Sequence, residues 1–505
     1  MNENLIEKEL EILRDAVKKA EKNIKQKIIN TPDIKNIISI VEKFITKKKL
    51  ICYGGTAINN IISTEDQFYD KTLEIPDYDF FSDNAMEDAI ELADIYYNSG
   101  YDEVEAKAGV HHGTYKVFVN FIPIADITSI SDTLYDSLKK DAISVANILY
   151  CPPNFLRMLM YLELSRPSGN ISRWEKVLKR LTLLNKNYPL KSKKCDDIDI
   201  QRPYESKDDS EHLYETIRGS FIDQGLVFFG GYANALYSKY MPKKIKKSFK
   251  KTPDFDVLSE DPEKTLTILK ERLKTEGFKN VKTKKHEGMW EILSGHYEVT
   301  VGKETVAFVY EPVACHSYNV ISEAGKKIKI ATIDTMLSFY LTFIYADKPY
   351  YDPQRILCMC QHLFDVQQSN RLSQKGVLKR FSIECYGNQK TIENMRSEKN
   401  KKYNELKKKK KTREYNLWFL NYRPSKSKKG SLTSKSKSKS KSKSKSKSKS
   451  KSNKSLDVSD EMSKILYSSK SSKSKKKKAK KSKKKAKKTK KIKKKDFFEN
   501  TLFRF

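Results

Sequence analysis

Leu50-Ile51-Cys52-Tyr53-Gly54-Gly55-Thr56-Ala57-Ile58-Asn59-Asn60-Ile61-Ile62 reads as a short apolar strand, a bend at two glycines and a helix. The plan recurs in Leu226-Val227-Phe228-Phe229-Gly230-Gly231-Tyr232-Ala233-Asn234-Ala235-Leu236. Downstream, Pro76-Asp77-Tyr78-Asp79-Phe80-Phe81-Ser82 is matched by Pro253-Asp254-Phe255-Asp256-Val257-Leu258-Ser259. From the second glycine to the first aspartate the interval is 22 residues in the front copy and 23 in the second. Two ordered matches at a kept spacing mark an internal duplication.

Working outward, each aspartate pair is followed by a helical stretch, near 85 to 98 and 261 to 276, and then by strand-like alternation. That alternation ends in Phe121-Ile122-Pro123-Ile124-Ala125-Asp126 or in Tyr310-Glu311-Pro312-Val313-Ala314-Cys315, so Cys315 is expected where the second copy lacks an acid. Apolar helices at about 153 to 187 and 331 to 366 close the copies. Residues 1 to 30 read as a helix with Leu5, Ile6, Leu10, Leu13 and Val17 on one face, and Thr31-Pro32-Asp33 opens another. The expected organisation is an N-terminal helix over 1–30, a front lobe with its following helices over 31–190, a polar linker over 191–210 and a second lobe over 211–370. A basic extension over 371–424, a Lys/Ser tail over 425–495 and an apolar end over 496–505 complete it. The fold class is α/β (α+β), each lobe a small mixed sheet with helices.

The chain has 505 residues and a formal net charge of +36, and residues 425–495 hold 32 lysines against three acids, a balance of +29. Such a segment has too little apolar surface to offset the entropy of ordering and is expected to be disordered. Its charge suits RNA phosphates, while its runs of lysine also read as a solubilising or targeting tail. Trp418, Phe419, Leu420 and Tyr422 form a last patch able to dock on the body. No run of 18 apolar residues is present, which argues against a membrane-spanning segment. Seven dispersed cysteines do not suggest a disulfide framework, and a reducing, intracellular setting is expected. Cys358, Cys360 and His362 are read as core groups rather than a metal site.

Asp77 and Asp79, two apart on a strand, share a face, and with Asp126 from a neighbouring strand they suit a pair of Mg²⁺ (or Mn²⁺) ions. Asn120 has the same strand parity as Asp126 and competes for that third position. Gly54 and Gly55 let backbone approach phosphate at a helix N-terminus, where Thr56 adds a hydroxyl. His111 and His112 lie in a loop between these elements.

Strand, Gly-Gly-Thr, helix, Asp-x-Asp and a third acidic strand together resemble the nucleotidyltransferase superfamily of the DNA polymerase β type. The tandem lobes, Tyr53-Gly54-Gly55-Thr56-Ala57 and the helix around Pro153-Asn154-Phe155-Leu156-Arg157 resemble, within it, the poly(A) polymerase catalytic subunits of poxviruses and other large DNA viruses. The resemblance implies two tandem nucleotidyltransferase-like lobes, ATP as substrate, an RNA 3′ hydroxyl as acceptor, two metal ions, and a host-cytoplasmic or virion location. It carries metal binding onto Asp77, Asp79 and Asp126, and triphosphate contact onto Gly54, Gly55, Thr56, Arg157 and Lys176, with Arg173 beside them. It also implies a processivity partner or self-association. The second lobe is expected to be non-catalytic, closing the cleft or forming a dimer surface. The same three acids also serve oligoadenylate or cyclic-dinucleotide synthases, and a chain with both lobes decayed would be an RNA-binding scaffold.

Overall fold

Thr31 caps a helix by accepting the Ile34 N–H on its hydroxyl, Asp33 sits in the first turn, and Lys47 and Lys48 occupy the last. Each charge opposes the helix dipole end it faces. The buried stripe Ile34, Ile37, Val41, Phe44 and Ile45 follows helical period and seats Pro32–Lys48 against helix Ala85–Asn98, where Tyr96 donates to the Ile37 carbonyl at 2.7 Å. The computed structural model describes residues 3–192, 195, 210–247, 249, 253–289, 292–346 and 348–425. The Lys/Ser tail, the apolar end and most of the linker lie outside the described residues. Helix Glu3–Ile29 has the expected apolar stripe, but Leu5, Leu10, Leu13 and Val17 are exposed on it.

The front sheet runs, edge to edge, Asn421–Tyr422, Val104–Ala108, Thr114–Val119, Ile122–Ser129, Tyr78–Ser82, Ile51–Cys52, Ile148–Tyr150 and Ile143–Val145. The second runs Val281–His286, His296–Val301, Glu304–Tyr310, Phe255–Leu258, Val227–Phe229, Lys326–Ala331, His316–Glu323 and Cys385–Tyr386. Setting aside one added strand at an edge of each, the order agrees strand for strand. So does the sense of every pairing: glycine strand antiparallel to aspartate strand, aspartate strand parallel to the next. The duplication read from two motifs extends to the whole sheet.

The lobes meet through their closing helices. Pro153–Leu164 packs on Ile333–Tyr345, with Phe155 edge-on to Tyr345 at 5.3 Å, and the Ser317 N–H donates to the Ser165 carbonyl at 2.8 Å. After the second lobe the chain returns to the first. Helices Ile392–Leu406 and Arg413–Phe419 precede the edge strand Asn421–Tyr422, which pairs antiparallel with Val104–Ala108. Trp418 meets the His112 ring at a tilt, centroids 4.1 Å apart, Tyr115 donates to the Leu417 carbonyl, and Tyr422 donates to Asp94. The aromatic patch therefore docks on the body, and it does so on the front lobe.

The cysteine reading needs correction. Cys195 pairs with Cys358 and Cys315 with Cys385, across 163 and 70 residues of sequence. Dispersal along the chain did not mean separation in space, because strand and helix pairing brought the partners together. Cys52, Cys151 and Cys360 remain buried free thiols. No helix among the described residues is long and apolar enough to cross a membrane.

Candidate active site

The bend at Gly54 is built around a carboxylate. Gly54 has φ +75°, and a Cβ there would lie 2.6 Å from Asp79 Oδ2, so only glycine admits both the backbone turn and the close approach. At Gly55 a Cβ would meet the Tyr69 hydroxyl at 2.5 Å and Arg180 Nη1 at 2.8 Å. The two glycines thus hold an acid on one side and a cation on the other. The Tyr53 N–H donates to the Asp79 carbonyl at 2.9 Å, and the Thr56 hydroxyl donates to the Asp77 carbonyl at 2.7 Å. Thr56 fixes the Asp77–Asp79 segment to the start of helix Gly54–Ile61. Asp77 lies half-buried one residue ahead of strand Tyr78–Ser82, and Asp79 is buried within it.

Asp126 is the parallel register partner of Asp79, so the two carboxyl groups stand side by side on one sheet face. Lys116 is the register partner of Asp126 on its other side and forms an ion pair with it. Asn120 does not compete. It forms the hairpin tip with Phe121, at φ 49° and 65°, between strands Thr114–Val119 and Ile122–Ser129. The expected strand parity of Asn120 fails because the chain turns there.

The cationic wall comes from the helix Trp174–Asn187. Arg173, Lys176 and Arg180 fall at helical spacing; Arg180 is buried, donates to Tyr69 at 2.5 Å and lies over the Phe68 ring at 4.8 Å. Lys176 is exposed on the first turn. Opposite them Glu163 is half-buried, its carboxyl pushed up by desolvation against the pull of Arg173, Arg166, Arg180 and Lys176. Arg173 approaches Glu163 at 3.4 Å, with burial holding its guanidinium down and the fields of Glu163 and Asp79 favouring its charge. A small cavity opens between Gly54, Leu156, Met160, Glu163, Val177 and Arg180. Tyr69, Glu163 and Arg180 were not singled out from sequence; the 173, 176, 180 spacing was the available signal for Arg180.

Arg157 stands elsewhere in function. It is 1% exposed and its guanidinium binds Asn185 at 2.7 Å, Asn154 and the Tyr188 carbonyl. It ties helix Pro153–Leu164 to the end of the next helix, so the triphosphate contact expected for it is not supported by its placement. His111 is half-buried and His112 is taken up by Trp418.

Among the described residues no three His, Cys, Asp or Glu side chains converge closely enough to hold a metal ion. The donor set nevertheless fits hard divalent cations: carboxylates on one face, against a bend too tight for any Cβ, with Asp126 held in place by a lysine.

The second lobe keeps the scaffold but not the neighbouring acid. Gly230, at φ +69°, lies against Asp256 as Gly54 does against Asp79. The register partner of Asp256 is Phe308, not an acid, and Phe308 in turn pairs with Glu298 where the front lobe has Lys116. The expectation that Cys315 fills the third position is therefore corrected: the shared proline step suggested that alignment, but Pro312 follows the strand end at Tyr310. Tyr232, in place of Thr56, is hydrogen-bonded by Arg218 at 3.2 Å.

Residues 39–170, which hold all three front-lobe acids, match the family model for the poly(A) polymerase catalytic subunit. The front lobe carries a poly(A) polymerase catalytic-subunit domain. Relatives include proteins named as candidate poly(A) polymerase catalytic subunits. That of African swine fever virus is 32% identical over 184 residues, 35% of this chain and 37% of the relative. That of Acanthamoeba polyphaga mimivirus is 30% identical over 240 residues, 45% of this chain and 39% of the relative. The match spans little more than a third of the length of these curated relatives. The crystal structure of the Megavirus polyadenylate synthase superposes with a TM-score of 0.70 at 22% identity, covering 83% of this chain and 85% of that one. The likeness thus extends in fold well beyond the poly(A) polymerase catalytic-subunit domain, across both lobes.

Proposed function

We propose that the chain is a template-independent poly(A) polymerase, transferring AMP from ATP to the 3′ hydroxyl of RNA in mRNA polyadenylation. The observation that carries this reading is the side-by-side placement of Asp79 and Asp126 at the Gly54 bend, in the lobe that kept its acids. Asp77, Asp79 and Asp126 would hold two Mg²⁺ or Mn²⁺ ions, which supply charge neutralisation at the triphosphate and acidify the attacking hydroxyl. The chain's own residues do the rest. Gly54 and Gly55 give backbone access to phosphate, Arg180 and Lys176 balance its charge, and Arg173 with Glu163 orients that wall. Lys116 pairs with Asp126 and holds its carboxyl on the sheet face beside Asp79. ATP and an RNA 3′ end are the partners; a processivity subunit or self-association is proposed for retention of RNA between cycles.

The test is primer extension with labelled RNA, Mg²⁺ or Mn²⁺ and each nucleoside triphosphate separately. ATP is expected to give a ladder and the others much less. Short products made from nucleoside triphosphates without primer would point instead to a messenger synthase. Asp79→Asn is expected to abolish most turnover while RNA binding persists; full function in that variant would leave only a scaffold.

A further inference from the structure

Among the described residues, the outer half of the front sheet is antiparallel and covered on one face only. Tyr115, Val117 and Val119, with Val104 and Ala106, are buried on the side of helix Ala85–Asn98, while Thr114, Lys116, Phe118, Glu105 and Lys107 are half-exposed on the other. That second face is the one that carries Asp79 and Asp126. Register partners run straight across it: Asp79, Asp126, Lys116, Lys107 and Asn421. Four strand spacings make this row about 19 Å long. It begins at the acids and ends on the strand contributed by the C-terminal extension.

Along the row, Lys107 lies over the Phe118 ring at 4.1 Å and pairs with Glu105, which also receives Arg423 at 3.2 Å. The local charge beyond Asp126 is therefore cationic, with an aromatic face beneath it. A polar face is the ordinary state of a half-covered antiparallel sheet, so position alone decides nothing. The second lobe supplies the control. Its equivalent row reads Asp256, Phe308, Glu298, Lys284. Where the third acid has gone, the cation beside it has become an anion. Lys116 is the ion-pair partner of Asp126, so those two change together, and Lys284 keeps a cation at the place of Lys107; what the second lobe lacks is the aromatic, with Thr300 standing at the place of Phe118.

Resting on the adenylyltransferase reading for its choice of ligand, we propose that this open face, from Lys116 through Phe118 and Lys107 to Asn421 and Arg423, is the binding track for the single-stranded RNA acceptor. Lysine and arginine meet backbone phosphates and Phe118 stacks a base, a combination that holds single strands without reading sequence. The extension thereby completes a substrate surface. The described residues end at Ser425, two residues past Arg423.

The experiment uses the full chain and a fluorescent single-stranded RNA, with anisotropy measured across a salt series and no nucleotide present. K107Q/R423Q is expected to weaken binding about tenfold and to flatten the logarithmic salt slope by about 1.4, the value for two phosphate contacts on a single strand. Phe118→Ala should weaken it about fivefold, within the range for one lost stacking contact, with recovery in Phe118→Tyr. Lys284→Glu on the matched face of the second lobe is the control and should bind as the parent does. In extension assays the primer KM rises while the ATP KM holds. RNA carrying a 3′-terminal photo-crosslinker should label the peptide containing Phe118. Equal binding and equal crosslinking in parent and K107Q/R423Q would overturn the track, as would an equal loss in Lys284→Glu. Should Phe118→Ala fail to fold, K107Q/R423Q and the crosslink decide alone. Site-dependent binding without any extension would keep the track and remove the polymerase reading; extension indifferent to these variants would do the reverse.

Discussion

Gly54 is where backbone geometry and chemistry constrain the same atom. Its left-handed φ and the 2.6 Å approach of Asp79 Oδ2 to a virtual Cβ mean that any side chain must either unbend the turn or push the carboxylate away. Gly54→Ala is expected to cost about 1–2 kcal/mol from the left-handed conformation alone. It should also lower turnover at least a hundredfold, because Asp79 cannot stay beside Asp126. Thermal unfolding and primer extension on the same sample separate the two effects. A variant that unfolds earlier but extends RNA normally would show that the close approach is only packing. Arg180, on the other flank, has its guanidinium against Tyr69 and the Gly55 backbone. Arg180→Ala should raise the ATP KM about tenfold, near 1.4 kcal/mol of lost binding, with the primer KM unchanged.

At the level of strands and helices, what was legible in the sequence was local. The glycine bends, the Asp-x-Asp strands and the Thr31 cap are written within a few residues, since each is a turn or a helix start with its own stereochemistry. The register partner of Asp256 was not legible. Which residue lies opposite depends on how two strands align, and the Pro123 and Pro312 steps, alike in sequence, occupy the start of one strand and the space after another. The Cys315–Cys385 pairing and the fixed, inward role of Arg157 were hidden for the same reason: both depend on contacts across the fold. His316, first residue of strand His316–Glu323, is a further case. It is fully buried against the Phe339 ring, and desolvation, helped by Arg166, pushes its pKa down to about 3. The unfolded chain would take up that proton near pH 6.5. Between those values the unfolded state binds more protons than the folded one. Stability is therefore complete above about pH 6.5 and falls as pH drops towards 3, by up to about 1.4 kcal/mol per pH unit from this group. Denaturant titrations from pH 7 to 4.5 should show His316→Phe with a slope shallower by close to one proton; parallel curves would remove His316 from the acid response.

Across the whole molecule, one architecture has been used twice with different results. The seven common strands keep their order and sense, yet Asp126 and Lys116 in one lobe stand where Phe308 and Glu298 stand in the other. Asp256→Asn should leave extension within about threefold of the parent, well under the several kcal/mol that a lost metal ligand implies, and a loss comparable to Asp79→Asn would mean that both lobes take part in the chemistry. Charge is divided as unevenly as chemistry. Most of the formal excess lies past the edge strand that the extension adds to the front lobe, so the proposed capture of RNA and the proposed catalysis can be tested on separate parts of the chain. Ending the chain after Ser425 removes +28 without touching any described contact of the front lobe. Capture of RNA at low salt should then weaken and the salt dependence of binding flatten, because fewer phosphates are neutralised. Turnover at saturating primer should stay near that of the full chain, since the row from Asp79 to Asn421 remains whole. The comparison is best made at two salt concentrations. At high salt the long and short chains should converge in primer KM, and persistence of the difference there would mean that the lysine-rich segment contributes something other than charge.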